Sequence, residues 1–151
     1  SQTGNTRKLA QAVYDSLTDE KEIHKVEDAP APDGFDLVVV GFWLKGGKPD
    51  PKSADFIAKI GSSDVFFFAT HGAATDSDHA RNAMDHARSL VPSARIRGTF
   101  SCPGAVDPAH QERARAKDPQ PAWIQQAPGA VGRPNEADLR ALQAALKAAI
   151  G

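Results

Sequence analysis

The chain is short of several things. It has one cysteine, Cys102, which excludes an intrachain disulfide and any zinc site built from several cysteines. Neither charge is in excess: 18 Lys+Arg stand against 19 Asp+Glu, a formal −1 with the five histidines neutral. That balance argues against a nucleic-acid binder that neutralises phosphates with a basic face. No apolar run approaches the roughly 18–20 residues of a membrane span. The longest, Leu37 to Leu44 with Gly41 counted in, is strand-sized. The first residues lack the pattern of a signal or transit peptide, and a lone cysteine fits a reducing, cytoplasmic setting.

What is present reads as an ordinary soluble domain. The 151 residues are 40% hydrophobic and 25% charged, enough for one domain over 1–151 with its own core. Leu9, Val13 and Leu17 share one face of a helix predicted over 4–17. Glu22 to Glu27 is a weak strand candidate whose only apolar residues, Ile23 and Val26, do not alternate. Three better strands are expected at 36–43, 64–69 and 96–101, the first two as the continuous apolar runs of a parallel sheet covered on both faces. Helices are expected at 51–60, with Pro51 at its first position, at 76–91, stopped by Pro92, and after Asn135, a residue suited to an N-cap. Helices alternating with buried strands mean an α/β fold with a parallel sheet.

Ser1, Gln2, Thr3, Gly4, Asn5 and Thr6 place hydroxyls, an amide and one glycine directly before the first helix. A helix N-terminus offers free N–H groups and the positive end of a dipole, which suit a phosphate dianion. The duller reading is a helix cap that happens to be rich in Ser and Thr. Neither G-x-x-x-x-G-K-[ST] nor G-x-G-x-x-G is present.

This S-x-T-G-N-T loop resembles the FMN phosphate loop of flavodoxins. The order of the later segments is similar too: a strand ending in Phe42 and Trp43 with a glycine-containing loop, then a strand ending in Thr70, His71, Gly72 and Ala73. Within that superfamily the chain most resembles the short flavodoxins called BilS, which accompany bilirubin reductase. The segments that carry this are Gly41 to Gly46, Phe68 to Ala73 with Asp76 to Ala80, Gly98 to Gly104, and Arg133 to Leu139.

The resemblance implies a three-layer α/β/α sandwich with a parallel sheet of order 2-1-3-4-5. It implies FMN as cofactor and electron transfer between a reductase and an acceptor oxidoreductase, the latter a bilirubin-reductase-type enzyme in the BilS reading. Ser1 to Thr6 would hold the phosphate without a side-chain cation. Phe42, Trp43, Leu44, Lys45 and Gly46 would cover one face of the flavin ring, with Trp43 stacking on it or packing into the core. Gly46 or Gly47 would supply a flexible backbone near flavin N5, unless the turn is simply mobile. Thr70, His71, Gly72 and Ala73 would lie on the other side, where many flavodoxins carry a tyrosine. The only tyrosine here is Tyr14, on the first helix. His71 would therefore cover the second face, or bond to backbone and leave that face open.

Three departures are expected. The first strand of a flavodoxin precedes the phosphate loop, so a native N-terminal segment, or another segment, is expected to fill a gap in the middle of the sheet. Residues 107–133 are an irregular excursion, either a lid beside the flavin or a packed surface loop, with Trp123 and Ile124 anchoring it. Lys45 and Lys48 in one ring loop stand against Asp76 and Asp78 just after the other, a mixed rim suited to a dedicated partner. Two other functions compete: a flavin-dependent reductase acting on NAD(P)H or a small acceptor, and a flavin-free subunit acting by protein contact. His79 and His86 are expected on a solvated helix face, with no metal, and Cys102 as a buried thiol.

Overall fold

The structure, a computed structural model, describes residues 3–151. Three long strands run parallel: β1 (Leu37–Lys45), β3 (Asp64–His71) and β4 (Arg95–Pro103). A two-residue strand, β2 (Lys48–Pro49), turns back antiparallel on β1, and the sheet order is β2-β1-β3-β4. Both of the expected apolar runs are strands, because a β-branched or aromatic side chain on every residue can be buried only between two covering layers. β3 is the extreme case, with every residue from Val65 to His71 buried.

The two layers are helical. Ile57 of α2 (Pro51–Ile57) and Met84 and Ala87 of α3 (Asp78–Ser89) pack with Val38, Val40, Phe42, Val65, Phe67 and Ala69. On the other face, Leu9 and Val13 of α1 (Asn5–Ser16) and Leu142 and Leu146 of α5 (Glu136–Ile150) pack with Phe66, Phe68 and Cys102. Strand alternation thus sends even and odd positions of β3 to different cores. The result is the expected α/β/α sandwich, and its three parallel strands are the 3-4-5 part of the expected order.

The strand count differs from that order. Glu22–Glu27 forms no strand and ends in a turn in which the Asp28 N–H donates to the Lys25 carbonyl at 3.0 Å. Ile23 is exposed, so the segment buries no apolar face that would hold it in a sheet. Among the described residues, β1 from Leu37 to Trp43 pairs on one side only, with β3.

The excursion also has more structure than expected. It contains α4 (Pro108–Arg115) and two single 3₁₀ turns, Ala122–Gln125 and Ala127–Ala130. Asp107 caps α4, its carboxylate accepting from the Ala109 and His110 N–H groups. The last helix starts where expected: Asn135 and Asp138 cap each other in a capping box, and Arg133 pairs with Asp138.

Candidate functional site

Register sets the floor of the site. Trp43 pairs with Thr70 and Thr70 with Cys102, so the C-terminal ends of β1, β3 and β4 finish level. In open α/β sheets this edge is where ligands bind.

The N-terminus of α1 is fastened to that edge. Thr6 Oγ1 lies 3.0 Å from Thr70 Oγ1 in a buried hydroxyl pair. Asn5 Nδ2 donates to the Ala105 carbonyl at 2.8 Å, just beyond the end of β4. Glycine at 104 permits this approach, because a Cβ there would sit 2.8 Å from Asn5 Nδ2 and push the amide away. Gly4 occupies the N-cap position with φ +79°, a left-handed conformation suited to glycine, and has open space around it. It has no side chain to cap the helix, which leaves first-turn N–H groups available to a ligand. A cleft of about 420 Å³ adjoins this point, lined by Thr3, Gly4, Asn5, Arg7, Lys8 and Gln11. Ser1 and Gln2 lie outside the described residues.

Arg7 and Lys8 are not among the expected ligands, although they come directly after the loop. Lys8 Nζ donates to the Pro134 carbonyl at 3.1 Å, which ties α1 to the start of α5 and leaves a cation beside the cleft. The loop and the two cations together form a setting for a phosphate dianion.

One wall is the β1–β2 hairpin. Gly46 and Gly47 both have positive φ, +59° and +76°, the pattern of a tight two-residue hairpin turn. Asp50, which belongs to no motif recognised in the sequence, locks its base. The Asp50 N–H donates to the Trp43 carbonyl at 2.9 Å, and the Asp50 carboxylate caps α2 through the Ser53 N–H at 3.1 Å. Aspartate before Pro51 is the available signal, since Asp-Pro is a common way to open a helix. Trp43 and Leu44 are half-buried, and Lys45 and Gly46 are exposed. Phe42 is not part of this wall. Its fully buried ring packs edge-on against Phe67 at 6.3 Å, as the alternation of β1 requires.

The other wall runs from the end of β3 into the loop before α3. The strand expected at 64–69 runs two residues further, so Thr70 and His71 are the last two residues of β3. His71 is 5% exposed; its Nδ1 lies 3.0 Å from the Ala73 carbonyl. Burial pushes its pKa down to about 4, so the ring is neutral at pH 7. Ala73 is buried, and Asp76 and Asp78 are exposed on the rim, held by Arg81.

The excursion packs on this second wall. A Cβ at Gly72 would come within 2.7 Å of Val106 and 3.0 Å of the Trp123 ring, so glycine permits the approach. Gln126 Oε1 accepts from the Ala74 N–H at 2.7 Å. Trp123 stacks on His110 with ring centres 5.7 Å apart and planes 5° from parallel. Ile124 is buried. Both expected anchors are used.

Other candidates are quiet. Cys102 is buried and its thiol is pushed up to about 12, mainly by burial, so it is protonated. His79 is half-buried beside Gly47. No cluster of metal ligands occurs among the described residues, and no helix among them is long and apolar enough to cross a membrane.

The chain matches the flavodoxin domain family over residues 1–147. It is 29% identical over 111 residues to the flavodoxin-like domain-containing protein BilS of Clostridioides difficile (strain CD3), a match covering 70% of this chain and 63% of that one. It is 24% identical over 134 residues to the protein of the same description in Clostridium symbiosum (strain WAL-14163), covering 77% and 70%. The chain therefore spans less than two thirds of the first relative's length. It belongs to the flavodoxin domain family.

Proposed function

We propose that this chain binds FMN at the C-terminal edge of its parallel strands and carries electrons between a reductase and an acceptor oxidoreductase. The observation that carries the reading is the fastening of the α1 N-terminus to the strand ends, through Thr6 with Thr70 and Asn5 with Ala105. That arrangement holds a phosphate-binding helix end beside two loops that can flank a flat ring. The residues fit an FMN: an uncapped glycine turn and two cations for the phosphate, and the half-buried Trp43 for the ring.

The bound flavin would supply the redox chemistry. The protein's part is to hold and shield it. Thr3 to Thr6 orient N–H and hydroxyl donors, and Arg7 and Lys8 add positive charge at the rim. Trp43 offers an aromatic face, worth about 0.5–1.5 kcal/mol beyond its buried area. His71, being neutral, holds no proton on Nε2 to give at pH 7, and the buried Cys102 thiol offers no nucleophile. Neither group can then act on a substrate as a proton donor or as a nucleophile, which favours a carrier. A bilirubin-reductase-type oxidoreductase is the acceptor that the BilS resemblance suggests.

Purified protein titrated with FMN is expected to quench flavin fluorescence and turn yellow. The loaded protein should accept electrons from a flavodoxin reductase and show no steady oxidation of NAD(P)H alone. Failure to take up FMN refutes the reading, and steady NAD(P)H oxidation by the protein alone replaces the carrier with a reductase.

A further inference from the structure

Asn5 is the first residue of α1 and belongs to the loop that the sequence assigns to a phosphate. Its side chain is committed in another direction. Nδ2 donates to the Ala105 carbonyl at 2.8 Å, across 100 positions of sequence. The amide also rests on Gly104, where a Cβ would stand 2.8 Å from Nδ2, 3.2 Å from Cγ and 3.3 Å from Cβ of Asn5. The side chain therefore fills the space that an alanine at 104 would take. What Asn5 leaves for an anion is its backbone N–H, one of the first-turn donors without an intrahelical acceptor.

The two residues that the amide holds form a junction. The Gly104 N–H donates to the His71 carbonyl at 2.8 Å, at the end of β3. The Ala105 N–H donates to the Arg133 carbonyl at 2.9 Å, where the excursion returns. Next along the chain, Val106 presses on Gly72, where a Cβ would come within 2.7 Å of the valine side chain. Gly72 follows His71 in the wall after β3. One amide hydrogen bond thus joins the first turn of α1 to the end of β4, the neck of the excursion and the second wall. The Lys8 tie to Pro134 reaches only the return side of that neck.

Resting on the FMN reading above, we infer that the Asn5 side chain is a positioning residue for the ring-binding wall and donates no hydrogen bond to the phosphate. The amide sets where Ala105 and Val106 lie, and through them the path of Gly72. Without it the Ala105 carbonyl loses its side-chain donor and the segment is free to shift. The phosphate keeps its own partners, because the helix and its positive end stay in place. One residue therefore serves both halves of the ligand, its backbone the phosphate and its side chain, through the wall, the ring.

The test titrates each protein with FMN and with riboflavin, which shares the ring and has no phosphate. Asn5→Ala should bind both about fivefold more weakly, the scale of one net hydrogen bond, so the ratio of the two affinities keeps its wild-type value. The visible band of the bound flavin should also change shape, because the surroundings of the ring have moved. Loss of stability alone would leave that band unaltered. Gly104→Ala crowds the amide out while keeping Asn5, and should reproduce both effects. It also stands in if Asn5→Ala does not fold, with folding checked by circular dichroism. The double variant should bind no more weakly than Gly104→Ala alone, since the two changes break one link. Wild-type riboflavin affinity in folded Asn5→Ala, with FMN binding weakened, would make the side chain a phosphate ligand and overturn the inference. Unchanged affinity for both flavins overturns it too. A wild-type protein that takes up neither flavin refutes the FMN reading itself, a different result.

Discussion

The two walls of the site are built on different principles. The hairpin wall is local: Trp43, Gly46, Gly47 and Asp50 lie within eight residues, and the hydrogen bond that closes its base, from the Asp50 N–H to the Trp43 carbonyl, lies within that stretch. The wall after β3 is assembled at long range, with His71 tied to Gly104, Ala74 to Gln126, and Gly72 packed beneath Trp123. A local wall tolerates change elsewhere in the chain. A long-range wall inherits the stability of the segment that braces it. The excursion, which departs from a minimal flavodoxin, is therefore part of the site's support.

The largest expected effect breaks that brace. Trp123→Ala removes a large ring from Gly72 and His110 and should cost about 3 kcal/mol, read by urea denaturation. FMN affinity should fall with it. Unchanged FMN affinity in a folded Trp123→Ala protein would make the excursion a bystander.

The buried histidine gives a pH test. His71 sits near 4 in the fold against its ordinary 6.5, so the unfolded chain binds the proton more readily between those values. The stability contributed by the neutral ring is fully present above pH 6.5 and is lost as pH falls toward 4. Its slope is at most about 1.4 kcal/mol per pH unit. Stability measured across the range from neutral to mildly acidic pH should show this decline, and His71→Phe should flatten it.

Damage to the hairpin should be smaller and confined. Asp50→Ala loses the α2 cap and should cost about 1 kcal/mol. In a Trp123→Phe background Trp43 is the remaining tryptophan, and its fluorescence should report the loosened hairpin while the His71 pH slope stays unchanged. Gln126→Ala is the mildest and most specific change. Its contact is exposed, so stability should fall by only about 0.5 kcal/mol. FMN affinity should still drop measurably if the Ala74 loop needs that hold.

The contrast between the walls also explains what can be read without coordinates. The β1 and β3 runs, the helix starts at Pro51 and Asn135, and the loop that opens α1 are local patterns, and each lies in the structure where periodicity and capping chemistry place it. Because Ser1 and Gln2 fall outside the described residues, that loop is seen from Thr3 on. Phe42 adjoins Trp43 and groups with the ring wall by position, yet strand alternation turns it into the core. Trp123 reads as an anchor, but nothing in the sequence links it to Gly72, 51 positions away. Gln126 carries no signal at all. A single glutamine in an irregular stretch becomes informative only when the fold brings Ala74 to it.

The central claim is that the end of α1 holds a phosphate while the two loops flank a ring. Its most direct test is parallel titration of the purified protein with FMN and with riboflavin, which has the same ring and no phosphate. FMN should bind more than about tenfold tighter, a difference above about 1.4 kcal/mol that is carried by the α1 N-terminus. Equal affinity for the two flavins would contradict it, as would uptake of neither.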